Sequence, residues 1–212
     1  SGVCGHNSIF VWTRKNYYII DSQTLSLITK RAFGDIAPPL NVTPVLHQNS
    51  NSKDLFMFGE YKSNPAMGPV SIYQISTDST NIVATIAKGK INHVHDILQS
   101  KYDEFYIFCG DWGSGAAICR LSSQNSNLEE IVSGDQIFRG SAAAVIDEKL
   151  VYATDSSSIQ NKLVILDSAT RKYVECQILP ASVIYGESNG HKFIFSTNLE
   201  ASLESKYRWN KW

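Results

Sequence analysis

The sequence predicts an all-β fold, a β-propeller of four-stranded antiparallel blades, and three observations carry that prediction. First, a hydrophobic strand ending on a carboxylate recurs at Glu60, Asp111, Asp155 and Glu200, with spacings of 51, 44 and 45 residues. That interval suits one four-stranded blade per repeat. Second, each phrase is preceded by a strand-like segment (TPVLHQ 43–48, HVHDILQ 93–99, SAAAVID 141–147, ASVIYGES 181–188). It is then followed by another in three of the four repeats (VSIYQIS 70–76, AAICRLS 116–122, KLVILDS 162–168). Third, the connectors are rich in Ser, Asn and Gly, as in 47–54, 122–130 and 155–162, which is turn chemistry.

Fourth strands fit NIVATIAKG (81–89), LEEIVSG (128–134) and RKYVECQIL (171–179), giving three full blades. Before them, SIFVW (8–12), NYYIIDS (16–22) and SLITKRA (26–32) match the second, third and fourth strands of a blade that lacks its first. After them, ASVIYGES, HKFIFST and YRWNKW offer a first, a second and a third strand. Helical periodicity is weak, and LEASLESK (199–206) reads as loop or one short turn. The expectation is one domain over 1–212, with about five blades and incomplete terminal blades. The alternative is a piece of a larger propeller, completed by a partner chain or a further segment.

Composition narrows the function classes. With 43% hydrophobic and 11% aromatic residues, the 212-residue chain has the material for one sizeable core. No apolar run nears the roughly 18 residues of a membrane-spanning helix. With 19 Lys and Arg against 20 Asp and Glu, and no basic run longer than Lys30-Arg31, nucleic acid is not an expected partner. Cys4, Cys109, Cys119 and Cys176 lack zinc spacing. A Cys109–Cys119 bridge between neighbouring strands is conceivable, against the ordinary reading of buried thiols. Asn41-Val42-Thr43 fits a glycosylation sequon, a pattern common by chance. The first residues, Ser1-Gly2, do not announce a compartment, and an extracellular or periplasmic setting is favoured over a cytoplasmic one.

The candidate site follows from blade geometry. Residues at one blade position lie at equal distances from the axis, so Glu60, Asp111, Asp155 and Glu200 would ring one end of the channel. In the strand 93–99, His93 and His95 are two apart and face one way, with Val94 on the other face. Two imidazoles near a carboxylate would suit a divalent metal ion, a polar substrate contact, or simple bonding between blades. Arg139, followed by Gly140-Ser141, has the forked donors that take a sugar carboxylate, although a pair with Asp111 or Asp155 would explain it as well. The carboxylates can also cap turns. Asp155, followed by three serines, is the best candidate for that, and Glu60, followed by Tyr61, the poorest. Trp112 would stack on a sugar or cover a blade edge.

The series GEY (59–61), N-x-x-x-x-P-V-x-I-Y (64–73), H-x-H (93–95), G-D (110–111), Arg139, T-D (154–155) and T-N-x-E (197–200) resembles a bacterial family of sialidase-like, BNR-repeat β-propellers, mostly described as glycosyl hydrolases. The resemblance spans about residues 53–202. It implies a polar central pocket and a link to polysaccharide metabolism. The Asp-box is degenerate at Ser122–Leu128, and only Arg139 among the arginines lies in the series, so sialidase activity itself is not expected. The resulting expectation is a propeller that acts on or binds an anionic sugar. A hydrolase would draw two carboxylates from Glu60, Asp111, Asp155 and Glu200. A lyase would use His93, His95 or Tyr61 as base, with Arg139 or a metal at His93/His95 opposite the uronate carboxylate. Glu60, His93, His95, Asp111, Asp155 and Glu200 are thus the catalytic candidates, and Tyr61, Trp112 and Arg139 the substrate-binding ones. The competing class is a non-catalytic carbohydrate-binding or protein-interaction propeller.

Overall fold

The computed structural model describes residues 1–46, 54–100, 104–110, 115–122, 126–189 and 191–198. Among them lie eighteen strands in five antiparallel sheets, each a meander of sequence neighbours. The first blade is β1 (Gly2–Cys4), β2 (Ser8–Trp12), β3 (Asn16–Asp21) and β4 (Leu27–Ala32). The second is β5 (Thr43–Val45), β6 (Leu55–Gly59), β7 (Val70–Ile75) and β8 (Thr80–Ile86). The third is β9 (His93–Gln99), β10 (Glu104–Gly110), β11 (Ala117–Ser122) and β12 (Asn127–Ser133). The fourth is β13 (Gly140–Ile146), β14 (Lys149–Thr154), β15 (Lys162–Asp167) and β16 (Lys172–Ile178). β17 (Ser182–Ser188) and β18 (Phe193–Asn198) form the fifth sheet, two-stranded among the described residues.

The propeller expectation holds, with one correction at its start. The first blade has its innermost strand, because Gly2–Cys4 pairs with Ile9–Val11. Three residues with one central valine carry too little alternation to be recognised as a strand. The third strand expected at YRWNKW and the turn at 199–206 lie outside the described residues, as does part of the degenerate Asp-box.

Blades pack face to face through four apolar clusters, each joining two neighbours. Phe10, Tyr17, Phe56 and Phe58 join the first and second. Met57, Ile72, Val94 and Ile107 join the second and third. Phe108, Ile118, Tyr152 and Val164 join the third and fourth, while Ala142, Ala153 and Val183 join the fourth and fifth. Burial of these apolar faces is the main driving force for the architecture. The first strand of each blade lies at the axis, where β1, β5, β9, β13 and β17 line one cavity of about 1070 Å³. No described helix is long and apolar enough to cross a membrane.

The inner strands are irregular where they meet. On β9, Val94 and Asp96 oppose the consecutive residues Cys109 and Phe108, so His95 is an extra residue. Ser141 on β13 and Ile184 on β17 are extra in the same way. Such bulges leave backbone groups outside the ladder. Asn41 makes use of them: its Nδ2 donates to the carbonyls of His95 at 3.3 Å and Ser141 at 3.4 Å. Ser141 Oγ in turn donates to the carbonyl of Val183, and Thr43 Oγ1 to that of Ile97. The sequon asparagine is therefore part of the axial hydrogen-bonding, not a surface acceptor.

Glycine is needed where strands approach closely. A Cβ on Gly59 would lie 2.4 Å from Val94 Cβ, inside the contact between the second and third blades. We expect Gly59→Ala to lower unfolding free energy by about 1–3 kcal/mol, the usual cost of overpacking, in denaturant titrations. An unchanged midpoint would show that the two blades can part without loss.

Candidate functional site

The side chains that carry chemistry gather where the second, third and fourth blades meet. β9 supplies His93 and His95, whose rings stack at 4.9 Å with 26° between planes and whose Nε2 atoms lie 3.0 Å apart. The segment after β6 supplies Glu60, Tyr61 and Lys62. The Tyr61 ring is 4.4 Å from His93, and His93 Nδ1 is 3.1 Å from the Lys62 carbonyl. The fourth blade supplies Arg139, which closes a short 3-10 turn (Gln136–Phe138), and Asp155, which follows β14. Asp155 Oδ2 is 3.9 Å from both Arg139 Nη2 and His95 Nδ1, and the Asp155 amide donates to the Arg139 carbonyl at 2.8 Å.

Local sequence explains this convergence. Asp135 accepts from the Ile137 amide and starts the 3-10 turn, while Ile137 and Phe138 anchor it in the core and leave Arg139 at its end. Gly110 makes room for His95, because a Cβ there would lie 1.9 Å from its Nε2. The Val94 amide donates to the Glu60 carbonyl at 3.0 Å, fixing the start of β9 against the second blade.

Exposure grades across the cluster. His95 and Asp155 are buried, Arg139 and His93 are partly covered, and Tyr61 is 39% exposed. Among the described residues, the exposed side of the cluster is that of Tyr61. Burial first, then the nearby His93 and Arg139 charges, hold His95 well below the usual imidazole range.

The two described carboxylates exchange the roles that sequence suggested. Glu60 is held by backbone: its Oε2 accepts from the Ser71 amide at 3.0 Å and from Lys62 Nζ at 3.0 Å, and its Oε1 from the Ala37 amide at 3.5 Å. In the turn after Thr154, Asn161 Oδ1 accepts from the Ser156 amide and the Thr154 hydroxyl, while Asp155 faces the histidine and the arginine. Asn161, six residues on and invisible as a partner in the sequence, took the capping task. Asp111, Trp112 and Glu200 lie outside the described residues.

Among the described residues no group of three or more metal-binding side chains converges. The two Nε2 atoms of His93 and His95 are the natural donors. The Asp155 carboxylate stands against the opposite nitrogen of His95, and Glu60 is bound to Lys62 and Ser71. Among the described residues, then, only these two imidazoles are available to a divalent ion, fewer than its coordination demands. Cys109 and Cys119 are free thiols, diagonal across β10 and β11, and the Cys109 thiol is pushed up by its contact with Cys119 and by burial.

The sequence reading missed three polar residues of the axial cavity: Asn41, Asp96 and Glu187. Burial, with Glu187 adding to it, pushes the Asp96 carboxyl up to about 8, against the pull of its bond from the Ile97 amide. Strict alternation sets Asp96 on the apolar face with Val94. The bulge at His95 is what turns it to the channel.

No protein-family profile and no curated protein matches the chain. Solved structures do. An oligogalacturonate lyase in complex with manganese superposes with a TM-score of 0.54 at 10% identity, over 91% of this chain and 56% of that one. TolB from Acinetobacter baumannii superposes with a TM-score of 0.51 at 17% identity, over 92% of this chain and 50% of that one. Both establish a β-propeller fold, and the chain spans about half the length of either.

Because the folded Asp96 carboxyl keeps its proton to higher pH than the unfolded one, its contribution to stability is present below about pH 4 and lost as pH rises towards 8. Asp96→Asn should therefore gain stability relative to the parent progressively over that window, in thermal melts. A difference independent of pH would show that Asp96 ionises as a surface carboxylate does.

Proposed function

We propose that the chain is a carbohydrate-acting propeller that takes an acidic oligosaccharide at the Tyr61–His93–His95–Asp155–Arg139 cluster. The observation that carries this reading is the arginine fixed beside paired imidazoles at a blade junction, with the exposed Tyr61 ring at the margin of the described group. Arg139 would meet the carboxylate and Tyr61 the sugar face. The fold likeness to an oligogalacturonate lyase supports an acidic sugar as the ligand class. The sialidase-like resemblance of the motif series belongs to the same reading, as a shared use of the blade scaffold for sugar acids.

Elimination is favoured over hydrolysis. A glycoside hydrolase needs two carboxyl groups free to act on one bond. Of the carboxyl groups among the described residues of the cluster, Glu60 is instead tied to Lys62 and the Ser71 amide, and Asp155 lies beneath His95 and Arg139. In a β-elimination the proton next to the uronate carboxylate leaves to a base, its electron pair forms the new double bond as the C–O bond breaks, and the departing oxygen takes a proton. Tyr61 and His93, whose rings lie 4.4 Å apart, would exchange those two protons, with Arg139 countering the charge that builds on the carboxylate. A solely binding role would use the same arginine and ring without turnover.

Arg139→Lys keeps the charge and removes the fork. It should weaken trigalacturonate binding about tenfold or more in calorimetry, in line with the loss of about 1.5–3 kcal/mol for a bond to a charged group. The melting temperature should change little. Unchanged affinity together with a large fall in melting temperature would make Arg139 a strut between blades, and the acidic-sugar reading would fail.

A further inference from the structure

We infer that the axial cavity is a second ligand site, built for a small organic cation of the polyamine class and sharing no side chain with the cluster at Tyr61. Its wall offers oxygen lone pairs where a ligand would look for hydrogens. Asn41 Nδ2, which has two hydrogens, donates to two backbone carbonyls, those of His95 at 3.3 Å and Ser141 at 3.4 Å. The single hydroxyl hydrogens of Ser141 and Thr43 go to the carbonyls of Val183 and Ile97, which can only accept. What Asn41, Thr43 and Ser141 still present to the cavity is therefore acceptor oxygen.

Two carboxyl groups add charge to that surface. Asp96 comes from β9 and Glu187 from β17, so they stand on different sheets, yet within electrostatic reach of each other. Among the described residues no Lys, Arg or His side chain lines the cavity. Aromatic rings complete the wall: Trp12 is held by its indole N–H on the Pro39 carbonyl at 3.3 Å, and Tyr185 on β17 is 55% exposed. A ring face attracts an ammonium group. An ammonium has three donors and no acceptor, the complement of a wall of lone pairs, carboxyls and rings. Carboxyls on two sheets call for two such nitrogens on one flexible chain. The cavity, at about 1070 Å³, takes a molecule and not a bare ion, and no group of three metal-binding side chains converges among the described residues.

The site stands apart from the proposed sugar site, so its test does not bear on the acidic-sugar reading. That test is calorimetry of the whole chain with spermidine at about 0.15 M salt, where contacts with scattered surface carboxylates are screened. We expect one spermidine bound per chain. Glu187→Gln should weaken it about tenfold or more, as the loss of a hydrogen bond between charged groups does. Tyr185→Leu keeps an apolar side chain without the ring face and should weaken it about threefold. Both residues are exposed, so circular dichroism and melting should stay those of the parent. Glu148→Gln, on the exposed turn between β13 and β14 and outside the cavity lining, should bind spermidine as the parent does. Calcium ions in excess should leave the affinity unchanged. No spermidine binding at millimolar concentration, an equal loss in Glu187→Gln and Glu148→Gln, or displacement of spermidine by calcium would overturn the inference.

Discussion

The site depends on one constraint at the propeller axis: the inner strands of the third, fourth and fifth sheets each carry one residue more than their partner strand can pair. The extra residues are His95, Ser141 and Ile184. At His95 the bulge does two things. It leaves a carbonyl that Asn41 ties to the fourth blade, and it presses the imidazole over Gly110, where no side chain intrudes. Without it, β9 would continue its alternation and set Asp96 into the apolar face that Val94 and Ile97 fill. The polar pocket and the apolar joint between blades are thus two results of one backbone irregularity.

Polar side chains then gather in two separate regions of the interior. At the junction of the second to fourth blades, Asp155 stands between the Arg139 guanidinium and the buried His95 imidazole. Along the axis, Asp96 and Glu187 share the cavity, and Asp96 holds its proton to about pH 8. A ligand carboxylate would gain nothing from the second region. This contrast supports placing an acidic sugar at the Tyr61 margin and not within the axial cavity.

Fold legibility in the sequence was high where strands are long and apolar. DLFMFGE, EFYIFCGD and KLVYATD each became the second strand of a blade because continuous apolar runs can be buried on both faces. β1 escaped, having three residues and no pattern. The site was half legible. His93 and His95 met as the i, i+2 rule implies, and Arg139 stands beside Asp155. What alternation cannot encode is a bulge, so Asp96 and Asn41 went unseen. Turn composition also misassigned the carboxylates, because Glu60 reaches amides of Ser71 and Ala37 that are distant in sequence.

The most direct measurement of the central claim is a crystal structure with trigalacturonate bound. The account predicts a uronate carboxylate on the Arg139 guanidinium, the sugar ring against Tyr61, and His93 within hydrogen-bonding reach of the ligand. Trigalacturonate seated elsewhere, in the axial cavity between Asp96 and Glu187 or on the outer strands, with the Arg139 cluster unchanged, would contradict it.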